Sequence, residues 1–255
     1  MDIGENATDS NSSVGDKTII KVRGLTKTFG KGDAQVHALR GIDLDIQQGQ
    51  LTAIMGPSGS GKSTLMHCVV GLEKATSGTI ELAGRRVDQL NEKGLTALRR
   101  DHVGFIFQSF NLVPTLNARE NIELPATIAG TKIDPTAFSH VVQALGIEDR
   151  LEHRPSELSG GQQQRVACAR AMVGFPAVVL ADEPTGNLDS VATGQVLEFL
   201  RSSVDADGQT VVMVTHEPES AAIADRVVFI VDGQIAGELI DPKKEDILDQ
   251  LKVED

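Results

Sequence analysis

From position 18 onward the chain reads as short apolar runs separated by glycine turns, alternating early on and helically spaced later. The alternation predicts strands over 18–22, 35–39 and 42–46, closed by a turn at Gly49. A near-continuous apolar strand over 51–55 then enters a glycine-rich turn and a helix. Thr76-Ser77-Gly78 leads into a strand over 79–82, a helix over 92–100 and a strand over 103–107 that ends at Gln108.

From 111 to about 160 the spacing is helical, with segments near 118–126 and 136–145 punctuated by Pro114, Pro125, Pro135 and Pro155. This stretch, about 111–165, is expected to be an inserted helical subdomain. After it come a helix over 162–173, a strand over 177–181 ending in Asp182-Glu183-Pro184, and a helix over 190–202. A strand over 210–214 ends in Thr215-His216, and a short helix near 220–224 precedes a strand over 226–231. Strands alternating with helices predict an α/β fold: a mostly parallel sheet covered on both faces, with functional groups at the carboxyl ends of its strands. The polar stretch 1–16 is expected to be a disordered tail, 17–240 the main domain, and 241–255 a terminal helix with Ile247, Leu248 and Leu251 on one face.

Composition narrows the function classes. At 255 residues and 40% hydrophobic, the chain can bury a large core. No apolar run approaches the ~20 residues a bilayer span needs, and the first residues lack a signal-peptide pattern, so a cytosolic location is expected. With 24 basic against 36 acidic residues, a nucleic-acid partner is not expected. Cys68 and Cys168 have small or apolar neighbours and read as reduced packing residues.

The chemistry begins at Gly56-Pro57-Ser58-Gly59-Ser60-Gly61-Lys62-Ser63, with Thr64 next, which fits the phosphate-loop pattern G-x-x-x-x-G-K-[ST]. Glycines let consecutive N–H groups close around a polyphosphate at φ values a Cβ would penalise. Lys62 supplies a point charge for the β- and γ-phosphates, the Ser63 hydroxyl suits Mg²⁺, and the next helix aims its positive end at the anion. The apolar run into Asp182 resembles the second nucleotide-binding motif of P-loop NTPases, whose aspartate holds Mg²⁺ opposite the phosphate-loop serine, here Ser63, and Glu183 is placed to polarise an attacking water. Gln108 and His216 end two further strands. Gln108 suits a metal or a water, and His216 suits donation to the γ-phosphate.

Leu158-Ser159-Gly160-Gly161-Gln162, followed by Gln163-Gln164-Arg165, resembles residue for residue the signature sequence of the nucleotide-binding subunit of ABC transporters. In order along about 18–240, Phe29, the phosphate loop, Gln108, the signature, Asp182-Glu183, Asn187-Leu188-Asp189 and His216 fall where that family has its adenine-stacking ring, P-loop, glutamine loop, signature, Walker B pair, D-loop and switch histidine. The resemblance implies a P-loop NTPase (RecA-like) core with an antiparallel β edge subdomain and the helical insert. Ser159 can cap the helix it precedes, and Gly160 and Gly161 open its N-terminus as a second anion site.

The resemblance further implies that the signature of one copy closes over ATP on the phosphate loop of another, giving a head-to-tail homodimer that hydrolysis releases. Phe107 to Pro114, Glu120 to Pro125 and Pro184 to Asp189 look like the subgroup serving lipoprotein release, macrolide and peptide export, and the cell-division ATPase FtsE. That subgroup implies a separate permease with few membrane helices and a large extracytoplasmic domain, and an ATPase peripheral on the inner membrane face. A permease helix would seat beside Gln108, where Phe110, Leu112 and Leu116 are either its contacts or subdomain core. Two rivals are an FtsE-like regulator of an extracytoplasmic enzyme and a soluble ABC ATPase of translation or DNA repair. Phe29 stands where the family commonly has Tyr, so it can stack but donates no hydrogen bond.

Overall fold

The computed structural model describes residues 18–254, so the expectation for 1–16 lies outside it. The chain begins with β1 (Thr18–Phe29) and β2 (Val36–Gln47), two twelve-residue antiparallel strands where the alternation suggests three short ones. The difference has a local cause. Register shifts between Val22 and Leu25, and again beyond, interrupt the period of two, and Gly24 and Gly41 sit at φ +56° and +92° within the strands. With β4 (Ser77–Leu82) and the short β5 (Arg85–Arg86) they form a four-stranded antiparallel sheet in the order β2-β1-β4-β5.

The second sheet holds β3 (Leu51–Met55), β6 (Val103–Ile106), β7 (Val178–Asp182), β8 (Val211–Val214), β9 (Arg226–Val231) and β10 (Gln234–Ile240), in the order β10-β9-β3-β8-β7-β6. Five of these strands run parallel, and β10 returns antiparallel on the edge. Each parallel strand divides its side chains between two apolar layers. Ala53, Met55, Val179, Ala181, Met213, Val227 and Phe229 point to one, and Ile54, Val178, Leu180, Val212, Val214, Val228 and Ile230 to the other. Burial on both faces is why these strands read as continuous apolar runs.

The first layer is covered by α3 (Ala118–Ala129), α4 (Pro135–Ala144), α5 (Gly160–Met172) and α6 (Ser190–Asp207). The second is closed by α1 (Lys62–Val69), α2 (Glu92–His102) and the antiparallel sheet. Helix starts are set by short polar caps: Asn117 and Glu120 form a reciprocal box on α3, Asp134 precedes Pro135 on α4, and Asp189 accepts from Ala192 N–H on α6. Asn121, fully buried, ties down the loop before α3 by accepting from Val113 N–H and donating to the carbonyls of Val113 and Leu116. The short α7 (Pro218–Ala221) and the terminal α8 (Lys244–Glu254) complete the chain, with Ile247 fully buried. Cys68 and Cys168 are unpaired and buried, and burial pushes their thiols up to about 11 and about 12.

Candidate functional site

The phosphate loop joins the end of β3 to α1. Gly56 sits at φ +144°, where a Cβ would come 2.0 Å from the Ile230 carbonyl oxygen, and Gly61 at φ +105°, where it would come 2.4 Å from that of Ala38. Only glycine fits either place. Lys62 opens α1 and is buried. Its Nζ donates to the carbonyls of Gly56 and Pro57, both at 2.8 Å, and burial lowers its pKa. The ammonium therefore already lies across the loop, with a third proton free by valence for an incoming phosphate. The Ser60 hydroxyl is buried without a hydrogen-bond partner among the described residues. Pro57, Ser58 and Gly59 are exposed, and Ser63 and Thr64 are partly so.

Across the loop, Ser63 Oγ donates to Asp182 Oδ1 at 3.2 Å, and burial raises the Asp182 pKa. A hydroxyl and a carboxylate side by side next to a phosphate cradle form a hard oxygen set that fits Mg²⁺ shared with phosphate oxygens. Glu183 follows Asp182 at φ +49°, and His216 Nδ1 lies 2.7 Å from Glu183 Oε2. Gln108 lies just beyond β6. A Cβ on Gly186 would be 3.0 Å from Gln108 Nε2 and 3.4 Å from Glu183 Oε2, so both side chains converge on that glycine. Asn187 Nδ2 donates to the Gln108 carbonyl at 3.0 Å and joins the two loops. Phosphate loop, Asp182, Glu183, His216 and Gln108 thus gather at the carboxyl ends of β3, β7, β8 and β6.

The signature forms a second centre. Ser159 caps α5 in a reciprocal box: its Oγ accepts from Gln162 N–H at 3.3 Å, and its own N–H donates to Gln162 Oε1 at 2.9 Å. Ser159, Gly160 and Gly161 share an open cleft of about 430 Å³ with Asn187, Leu188 and Asp189. No phosphate-loop residue lines that cleft. Gly161 packs tightly there, since a Cβ would come 2.7 Å from that of Ala192.

Phe29 ends β1, 39% exposed, with Lys27 Nζ 4.5 Å from its ring centroid. Beyond Gln108, Phe110 and Asn111 adopt φ +57° and +50°, and Arg170 of α5 donates to both their carbonyls. Leu112 packs on the core of the first layer, while Phe110 and Leu116 stay partly exposed. No sequence pattern announces the packing at Gly186, the bond from Asn187 to Gln108, or the hold of Arg170 on the loop. Each acts by tertiary placement, and only the left-handed loop it supports would have hinted at Arg170.

The ABC transporter family model matches residues 39–186. The chain belongs to that family.

This ABC ATPase is 49% identical over 234 residues to the macrolide export ATP-binding/permease protein MacB of Brucella melitensis, covering 90% of this chain and 35% of that protein. It is 47% identical over 219 residues to MacB of Escherichia coli strain K12, covering 85% of this chain and 34% of that protein. The chain spans about a third of the length of these relatives. Among solved structures, the dimeric ATP-binding cassette MJ0796 bound to ADP and Pi superposes with a TM-score of 0.80 at 37% identity, covering 88% of this chain and 99% of that one. The fold is that of an ABC cassette, a P-loop NTPase core with an antiparallel β edge. Among the described residues no helix is long and apolar enough to cross a membrane.

Proposed function

We propose that this ABC ATPase works as a head-to-tail homodimer that drives a membrane permease, in the manner of the export ATPases it resembles. The observation that carries this reading is the division of the motifs into two centres. The phosphate loop with Asp182, Glu183 and His216 forms one, and the Ser159–Gly161 cleft with Asp189 forms the other, which a second copy would bring over the nucleotide.

In this reading Lys62 and the loop N–H groups hold the phosphates, and Phe29 stacks on the base. Ser63 and Asp182, with Gln108, hold Mg²⁺. When bound, that ion neutralises charge on the β- and γ-phosphates. Glu183 accepts a proton from the attacking water, and Gln108 orients that water. His216 orients Glu183 and faces the γ-phosphate. Ser159, Gly160, Gly161 and Gln162 offer a helix N-terminus to the γ-phosphate on the partner copy.

The helical stretch 111–165 is the subdomain that carries the signature, and the groove beside Gln108 receives the permease. That permease has few membrane helices and a large extracytoplasmic domain, and it places the ATPase on the inner membrane face. The cargo is drug-like, peptide or lipid-linked; the macrolide export named for the MacB relatives supports the drug-like class.

The test is affinity purification of tagged Glu183→Gln protein from detergent-solubilised membranes in Mg-ATP, with mass spectrometry of what co-purifies. Recovery of such a permease is expected. Recovery of ribosomes or DNA-repair proteins instead would overturn the reading.

A further inference from the structure

Gln164 connects the signature helix to the turn that carries Glu183. It lies in the second turn of α5 and has no exposed surface, and its Nε2 donates to the Pro184 carbonyl at 2.7 Å. The amide's orientation is forced, because turning it over would set two oxygens against each other. Its Oε1 is buried without a hydrogen-bond partner among the described residues. An unmet buried acceptor is a cost that an apolar side chain of equal volume would avoid. The contribution of this amide therefore lies in the bond it donates.

That bond falls at a strained point. Glu183 is a non-glycine residue at φ +49°, a conformation that persists only where its surroundings fix it. On one side Glu183 N–H donates to the Val214 carbonyl at 2.9 Å, which fixes the residue to β8. On the other side Pro184 has no N–H to give, and its carbonyl is held by Gln164. The carboxylate is thus aimed by the parallel sheet from one direction and by the signature helix from the other.

We propose that Gln164 is a positioning residue that makes the aim of Glu183 depend on where α5 sits, so that engagement of the signature is felt at the hydrolytic carboxylate through one hydrogen bond. This rests on the reading of Glu183 as the base.

The test compares Gln164→Met, which keeps volume and removes the donor, with Gln164→Asn, which keeps the amide but withdraws it by one methylene. For each, the number of nucleotide-binding sites, ATP affinity and turnover per site are measured. The expected result is ATP affinity within about twofold of the parent and turnover per site lowered about tenfold or more in both variants. A purely structural role would instead lower rate and site number together, leaving turnover per site intact, and that outcome overturns the proposal. Glu183→Gln is run in parallel. If it retains turnover, the reading of the base fails and takes this inference with it. If it is inactive while both Gln164 variants turn over normally per site, only the inference about Gln164 fails.

Discussion

His216 Nδ1 stands 2.7 Å from Glu183 Oε2 because two neighbouring parallel strands end in register: Asp182 of β7 pairs with Val214 of β8, and Glu183 and His216 follow just beyond. An ionised carboxylate only accepts, so Nδ1 carries the proton in this contact and Nε2 is the ring nitrogen left for a phosphate oxygen. The sheet itself fixes the pair.

Glu183→Gln keeps the shape of this contact and removes the proton acceptor. Hydrolysis should fall by about 10²-fold or more with ATP affinity preserved, and His216→Ala should slow turnover by a smaller factor while sparing binding. Steady-state phosphate release alongside equilibrium nucleotide titration checks both.

Lys62 is held on two loop carbonyls, and burial lowers its pKa. Its folded-state pKa lies below that of the unfolded chain, so stability rises with pH through the interval between the two. ATP binding needs the charge and should weaken as pH rises through the lowered value. Lys62→Met should weaken ATP binding by about tenfold to a hundredfold and abolish that pH dependence, as read by titration calorimetry.

Asp182 behaves in the opposite sense. Burial raises its pKa, so folding favours the protonated acid; that stabilisation is full below the usual aspartate value and is lost as pH rises through the raised one. At neutral pH Asp182→Asn should therefore raise the unfolding midpoint of the nucleotide-free protein. The same change should remove the stimulation of ATP binding by Mg²⁺. Thermal melts with and without Mg-ATP read both effects.

Much of this architecture is legible in the sequence because strands buried on both faces leave continuous apolar runs, and 226–231 is a strand with the bounds its pattern predicts. β1 is legible only over 18–22 and β2 only as the pieces 35–39 and 42–46, since bulges interrupt the alternation within each strand. β10 escaped altogether: an edge strand half-exposed along its length reads as polar turn and linker. In the site, the phosphate loop and signature declare themselves by local backbone demands, glycines at positive φ and a serine cap. The bonds from Asn187 to Gln108 and from Gln164 to Pro184 join residues 79 and 20 positions apart and leave no periodic trace.

If two copies complete one another's nucleotide sites, light scattering of Glu183→Gln protein reads the pairing as a change of mass. With Mg-ATP the mass should double relative to the nucleotide-free or ADP-bound protein, and adding Lys62→Met should abolish the doubling. A Glu183→Gln protein that binds ATP stoichiometrically and stays at the mass of one chain would contradict the account.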